Sequence, residues 1–360
     1  MKMLFVSRTG SEEHSSYNHR LLMLYRGIRE RGIDADFLYM GDLIRKEPAI
    51  LSPVKFPAVL QKVRSYDIIH LGTFLAAYPF CVYRKRLKAV LVHDMHGHSS
   101  ELMMMLRLRP GKLKGAYLLA QSLWLEEITI HGCDYHLVVS RPLRERLLAH
   151  GVPQSKTLLL RNGVNTDLFR PTAGDQGDRF TVCYAGDFQV WQGIDLLLSA
   201  ARRLGDADIL WRFVGFRDKP AHHAWKRRIQ STLGGRVELV DRVDQSELRR
   251  ILGSADLLIL PRPYHRATAV AMPTKFAEYI ALGKAVVVTE VDETAQFVKR
   301  HRCGLVSPPT AAGLAETIER ARGCDRENLR EMGRRGRRLA EQVFSWDTIC
   351  DRYVRFLRAM

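Results

Sequence analysis

Acidic residues are what this chain lacks. Against 56 lysines and arginines it sets 39 aspartates and glutamates, a formal net charge of +17 over 360 residues. Both halves share the excess, with 25 basic against 15 acidic residues in 1–170 and 31 against 24 in the remainder. Such a field attracts nucleotides, anionic lipid surfaces or nucleic acid, although an arginine-rich proteome gives the same number without function. Cysteine is scarce as well. Cys81, Cys133, Cys183, Cys303, Cys324 and Cys350 form no C-x-x-C pair, which leaves zinc binding little support. Their wide spacing fits reduced, mostly buried thiols in a reducing compartment. No window of 18 consecutive apolar residues exists, so no spanning helix is expected. The opening Met-Lys-Met-Leu-Phe-Val-Ser reads as a strand rather than a secretory leader, because its apolar run is short and no small-residue cleavage site follows. The expectation is a cytoplasmic protein. Internal repeats of 20–50 residues and low-complexity segments are also missing.

What is present is a globular composition, 46% hydrophobic, long enough for two domains with a core each. Short apolar runs at Met3–Ser7, Asp36–Met40, Asp67–Leu71, Ala89–His93 and Tyr135–Val139 predict strands. A helix over Asn18–Arg31 stops at Gly32. The polar stretch 172–179 reads as a linker. The pattern then restarts with Phe180–Ala185, Leu210–Val214, Val237–Val240, Leu257–Leu260, Ala285–Thr289 and Gly304–Val306. Strands alternating with helices predict α/β architecture, with two doubly wound parallel sheets in series and a ligand cleft between the domains.

Residues 273–290 carry the densest signal. Pro273 opens a short helix, Gly283 ends it and an apolar strand follows. Lys275 and Glu278 lie three apart and share a helical face. A helix N-terminus favours anions, and Lys275 adds a full charge there. A carboxylate one turn on can accept two hydrogen bonds from a vicinal diol. The pair therefore suits a nucleoside diphosphate and its ribose; an ordinary solvated Lys–Glu pair has the same spacing.

The stretch resembles the nucleotide-sugar site of GT-B glycosyltransferases, specifically the retaining family 4, where it reads P-x-K-x-x-E-Y-x-A-x-G-x-P-V-V. Three further segments fall in the family's order. These are Arg161-Asn162-Gly163-Val164-Asn165 with Phe169 and Pro171, Tyr184-Ala185-Gly186 followed by Gly193-Ile194-Asp195-Leu196-Leu197, and Phe344-Ser345-Trp346. The resemblance implies two Rossmann-like domains, an acceptor-side one over 1–170 and a nucleotide-sugar one over 171–344, with residues 345–360 forming a helix that crosses back to the first.

It also implies roles. Lys275 would stabilise the leaving diphosphate and Glu278 would bind the donor ribose, with Thr274, Gly10, Gly186 and Gln192 as further donor positions. The family places a histidine near the donor's reacting carbon in the loop after the fourth strand. Within His93-Asp94-Met95-His96-Gly97-His98, His96 is the best match, with His98 and His93 as fallbacks. No metal is implied, and these histidines lack a standard zinc spacing. No cofactor is implied beyond the nucleotide diphosphate sugar itself.

The chain departs from the pattern in three places. Only Gly10 stands where the family has a Gly-rich turn. Gln189 and Gln192 replace the cations of the diphosphate clamp, so Arg262 or Arg266 would have to reach in. Val270 occupies the position of the first glutamate of a pair, which puts the sugar's identity in doubt. Ser15, Ser16, Tyr17 and Asn18 suit acceptor contact or helix capping equally.

The Leu102–Leu125 stretch holds Arg107, Arg109, Lys112 and Lys114 and no acidic residue, and Arg84-Lys85-Arg86-Leu87-Lys88 adds a second basic cluster. These suit peripheral contact with an anionic membrane, or a core helix with a basic face. The run Arg334–Arg338 reads as a solvated helix face.

The reading is a retaining, metal-independent glycosyltransferase using a nucleotide-sugar donor and a lipid-linked or glycan acceptor. One rival is a catalytically decayed GT-B protein serving as a nucleic-acid-binding or scaffold module; the absence of aromatic residues interleaved with the basic ones argues against nucleic acid. Another is a nucleotide-sugar epimerase of the same fold.

Overall fold

The computed structural model describes residues 1–7, 16–40, 56–97, 112–172, 177–205 and 208–360. They form two compact units. The first comprises residues 1–163, 270–272 and 346–360, and the second residues 164–269 and 273–345.

The first unit is built on six parallel strands: β1 (Lys2–Ser7), β2 (Asp34–Tyr39), β3 (Ile68–Leu71), β4 (Val90–Met95), β5 (Tyr135–Val138) and β6 (Thr157–Leu159). They lie in the order β2-β1-β3-β4-β5-β6. β1 and β3 are buried along almost their whole length, as expected of strands with helices on both faces. The strand order reverses between β1 and β3, and a doubly wound sheet opens its ligand crevice at the carboxyl ends of such strands.

The last helix, Trp346–Arg358, belongs to this unit and buries Trp346, Ile349, Cys350, Tyr353, Val354 and Leu357. That spacing makes one continuous apolar stripe. It packs on the Ser16–Glu30 helix, and Gly27 is what lets the two approach, since a Cβ there would stand 2.2 Å from the Cys350 sulfur.

Two elements differ from expectation. The strand expected over Ala89–His93 runs on through Met95, so Asp94 and Met95 are strand residues and not loop residues. β6, three residues long, was too short to stand out as an apolar run.

The second unit repeats the theme with β7 (Phe180–Ala185), β8 (Ile209–Phe216), β9 (Val237–Asp241), β10 (Leu257–Leu260), β11 (Ala285–Thr289) and β12 (Gly304–Ser307). The order β12-β11-β10-β7-β8-β9 reverses between β7 and β10. Val182, Tyr184, Trp211, Phe213, Leu257, Ile259 and Val287 fill its core. Between β10 and β11 the chain makes the short Thr274–Ala281 helix that the sequence announced. Among the described residues no helix is long and apolar enough to cross a membrane.

Candidate active site

The second unit places its chemistry at its own strand-order reversal. Beyond β7 the chain turns at Gly186 (φ 138°), where a Cβ would fall 2.1 Å from the Lys275 ammonium. Glycine is required there by both backbone and space. Lys275 Nζ donates to the Tyr184 hydroxyl (2.8 Å) and to Gln192 Oε1 (2.9 Å), and lies 4.4 Å from the Tyr184 ring centroid. The Tyr184 hydroxyl in turn donates to the Asp187 backbone carbonyl. Tyr279, beside Glu278, accepts from the Ala185 N–H (2.9 Å) and donates to the Ala185 carbonyl (3.2 Å), which pins the end of β7 under Lys275.

Thr274 opens the helix behind Pro273, and no side chain caps that end. Its first N–H groups and its dipole are thus directed at an anion position. Lys275 and Glu278 are both half-buried. Burial holds the Lys275 ammonium down to about 7, with the nearby Arg262 charge acting in the same sense and Glu278 and Asp187 opposing it. Burial likewise pushes the Glu278 carboxyl up, against the pull of Lys275. Each group is thus short of the counter-charge that would stabilise its ionised form.

The other predicted donor residues separate. Gln192 does meet Lys275, as an acceptor. Gln189 is exposed. Arg262 is buried, its Nη1 is ion-paired to Asp292 (2.5 Å), the N-cap of the Glu293–His301 helix, and its charge acts on Lys275. Arg266 is exposed at the start of a four-residue helix. Gly10 and His98 lie outside the described residues, as do Arg8–Ser15, Arg107 and Arg109. Val270 is buried in the first unit, where its carbonyl accepts from Ser140 Oγ (2.5 Å) and the Met272 carbonyl accepts from Asn162 Nδ2 (2.8 Å).

The first unit has its own polar centre, at the ends of β3 and β4. Asp94 is fully buried. Arg20 holds it in bidentate fashion, Nε to Oδ2 at 2.8 Å and Nη2 to Oδ1 at 3.0 Å. The same guanidinium donates to the Leu160 and Arg161 carbonyls. His70 Nε2 and His96 Nε2 each lie 3.5 Å from Asp94 Oδ2, and the Tyr353 hydroxyl lies 2.7 Å from His70 Nδ1.

Burial alone would push the Asp94 carboxyl up, but Arg20 and the two histidines outweigh it and hold it well below the carboxylate range. Burial lowers His96 to about 4; Asp94 and the Gly72 backbone raise it, and Arg20 and His70 lower it further. His96 is therefore neutral at physiological pH, with 13% of its side chain exposed. His93, a fallback in the sequence reading, is 2% exposed, and its Nδ1 has no hydrogen-bond partner among the described residues. Among the described residues no three His, Cys, Asp or Glu side chains converge to hold a metal ion.

Sequence reasoning missed Arg20, His70, Tyr353 and Tyr279. Arg20 had a signal, a cation on the stripe that also carries Leu24 and Gly27. The structure also corrects the Arg334–Arg338 run. Arg337 is not a solvated residue: its Nη1 donates to the Thr166, Phe169 and Ala281 carbonyls.

Comparison with known proteins gives this geometry a family. Residues 20–168 match the family described as Glycosyltransferase Family 4, and residues 179–322 match Glycosyl transferases group 1. The chain is 27% identical over 195 residues to an MMP alpha-(1->4)-mannosyltransferase of Mycolicibacterium hassiacum, an overlap covering 53% of this chain and 46% of that protein. The chain thus spans about half the length of that curated relative. In fold it is similar to sucrose-phosphate synthase from Thermosynechococcus elongatus (TM-score 0.81, 20% identity, 99% and 98% of the two chains covered). It is similar also to Anabaena HepE, solved in complex with UDP and glucose (TM-score 0.76, 15% identity, all of both chains covered).

Proposed function

Because the chain belongs to the glycosyltransferases of group 1 and family 4, we propose that it moves a sugar from a nucleoside diphosphate sugar to an acceptor hydroxyl. The transfer retains the anomeric configuration and uses no catalytic metal. The observation that carries this reading is Lys275, set at an uncapped helix N-terminus beside Tyr184 and Gln192 and lacking, among the described residues, a carboxylate in ion-pair contact. Such a group stabilises charge that grows on a leaving diphosphate. Glu278 takes the ribose diol, and His96, in the first unit, contacts the sugar.

Retention follows from a same-face step. The bond from the anomeric carbon to the phosphate oxygen breaks, the bond to the acceptor oxygen forms on the same face, and the departing phosphate oxygen takes the acceptor's proton. No side-chain nucleophile is needed.

A thermal-shift and calorimetric screen against UDP, GDP, ADP and their sugars tests the donor class, since a ligand that binds only the native state raises its melting temperature. UDP-glucose is the first donor to try, given the HepE complex. Glu278→Gln should weaken the donor that binds by about 1–3 kcal/mol, the range for a hydrogen bond to a charged group. No stabilisation by any nucleotide, or a Glu278→Gln variant with unchanged affinity, overturns the assignment. The anomer of the product, read by NMR coupling constants, decides retention.

A second observation supports a lipid-linked acceptor at an anionic membrane. Tyr117 and Trp124, seven apart on the Lys112–Gly132 helix, are 66% and 51% exposed, and Lys85, Arg86 and Lys88 are exposed just past the Phe74–Val82 helix that packs against it. Arg84 is not part of this surface, being clamped to Asp134 at 3.0 and 3.1 Å. Exposed aromatics with basic neighbours suit a headgroup layer. Binding to anionic vesicles should fall with salt and with charge reversal at Lys85, Arg86 and Lys88, and neutral vesicles should bind poorly. Equal cosedimentation of wild type and variant removes this reading.

A further inference from the structure

We propose that Cys81 and Cys133 are a redox-sensitive pair, poised to close a reversible disulfide that staples the end of the Phe74–Val82 helix to the entry of β5. This staple is independent of the sugar-transfer chemistry. All six cysteines are unbridged, and these two meet. Their sulfurs lie 3.5 Å apart, one thiol donating to the other, between residues 52 apart in the chain. Both are shielded, Cys81 at 9% and Cys133 at 7% exposure. The backbones that carry them are already close. A Cβ at Gly132, the residue before Cys133, would stand 2.5 Å from the Cys81 Cβ and 3.3 Å from its Cα. A disulfide sets its sulfurs about 2 Å apart, so closure asks for about 1.5 Å of sulfur movement.

The approach does not depend on the thiols themselves. Three residues past Cys81, Arg84 Nη2 grips both oxygens of Asp134, the residue after Cys133, at 3.1 and 3.0 Å. Asp134 Oδ2 also accepts from the Leu91 N–H at 2.8 Å, and the Asp134 N–H donates to the Leu91 carbonyl at 2.9 Å. The two cysteines therefore sit on segments tied to each other and to β4, and the sulfurs are presented at a fixed separation. Cys350 makes the contrast. It is buried too, but its sulfur reaches only toward the Met23 carbonyl, at 3.9 Å.

The Cys81 contact, burial and Asp134 hold the Cys133 thiol up, against Arg84, so Cys133 rests as a thiol. Oxidation then calls for an oxidant small enough to reach a shielded sulfur, and hydrogen peroxide qualifies. One sulfur, as its thiolate, attacks the peroxide O–O bond and becomes a sulfenic acid, releasing hydroxide. The other sulfur displaces the hydroxyl from that sulfenic sulfur and forms the S–S bond. The two thiol protons and the peroxide leave together as two waters, and the electron pair has gone to the peroxide. A dithiol such as dithiothreitol returns the pair to thiols by exchange.

The experiment uses the full chain, first reduced and then exposed to hydrogen peroxide. Remaining thiols are counted by N-ethylmaleimide labelling after unfolding, and linked peptides are mapped by mass spectrometry. Cys324, half-buried and so more open than the pair, reports that the oxidant has acted. Wild type should lose the Cys81 and Cys133 labels together and yield a Cys81–Cys133 linked peptide that dithiothreitol abolishes. The linked protein should melt about 5 °C above the reduced one, because the bond constrains the unfolded chain. Cys81→Ser and Cys133→Ser should each show neither the link nor the gain, and the wild-type map decides alone should either variant fail to fold. Full labelling of Cys81 and Cys133 after Cys324 has been oxidised overturns the proposal. So do separate sulfenic or sulfinic acids at the two positions without a linked peptide, or a link that lowers the melting temperature.

Discussion

Asp94 in the first unit and Lys275 in the second are both shielded charges near strand-order reversals, and they are treated oppositely. Asp94 takes two hydrogen bonds from the Arg20 guanidinium, has the Nε2 atoms of His70 and His96 3.5 Å away, and is held firmly ionised. Lys275 has a hydroxyl and an amide oxygen for partners, no carboxylate in ion-pair contact among the described residues, and a pKa drawn down to about 7. Even Glu278, one turn away, moves toward its neutral form and does not pair with it. A buried charge fully paired inside the protein does structural work. One left short of counter-charge raises the free energy of the empty protein, and a ligand of opposite sign recovers that energy. The contrast separates a scaffold charge from a binding charge without reference to any relative.

The largest expected effect comes from breaking the scaffold side. Arg20→Met removes the guanidinium and leaves Asp94 buried without its main partner. Loss of one member of a buried pair typically costs about 3–5 kcal/mol, because the remaining charge stays desolvated. Chemical denaturation should show a loss of that size. A change below about 1 kcal/mol, the ordinary range for an exposed pair, would mean that Asp94 reaches water and that the contrast is wrong.

Next in size is catalysis on the binding side. Lys275→Ala should lower kcat by about 10²–10³, the usual result of deleting one preorganised group aimed at developing charge. Donor affinity should fall as well. If KM rises while kcat holds, Lys275 binds the ground state and the transition state equally, and its role is only to hold the donor.

Much of this was legible beforehand, for physical reasons that differ by region. Buried parallel strands are continuous apolar runs, so β7, β10 and β11 stand out with correct ends. The Thr274–Ala281 helix is bracketed by Pro273 and Gly283, so its existence and position were legible, and with it Lys275 and Glu278. The ion pair of Arg262 was not legible, because sequence proximity to the site does not reveal a partner 30 residues on, Asp292. The Arg334–Arg338 run was misread for the same reason: three of its members do join a surface network with Glu327 and Glu331, while Arg337 turns inward to cap carbonyls. The Asp94 centre was the least legible. Arg20, His70, Asp94 and Tyr353 are brought together from across the chain, and no local spacing announces contacts of that kind.

The smallest effect, and the sharpest in sign, is on stability. The folded pKa of Lys275, about 7, lies below the ordinary lysine value of 10.5. Below pH 7 the side chain is charged in both folded and unfolded protein, and the folded state bears the full penalty of the poorly solvated ammonium. Between about 7 and 10.5 the unfolded state binds the extra proton, so stability rises with pH across that window. Lys275→Met keeps the length of the side chain and removes the charge. The variant should therefore be more stable than wild type by about 1 kcal/mol near neutrality, a gain typical of relieving a functional site. The advantage should shrink as pH approaches 10.5. Nucleoside diphosphate reverses the ranking, since it restores the proton to Lys275 and has no cation to meet in the variant. Its binding to the wild type should take up a proton above pH 7, visible as a buffer-dependent heat in calorimetry. A Lys275→Met variant less stable than wild type at pH 6 would show that the hydrogen bonds to Tyr184 and Gln192 outweigh desolvation, and would move Lys275 to the scaffold side of the comparison.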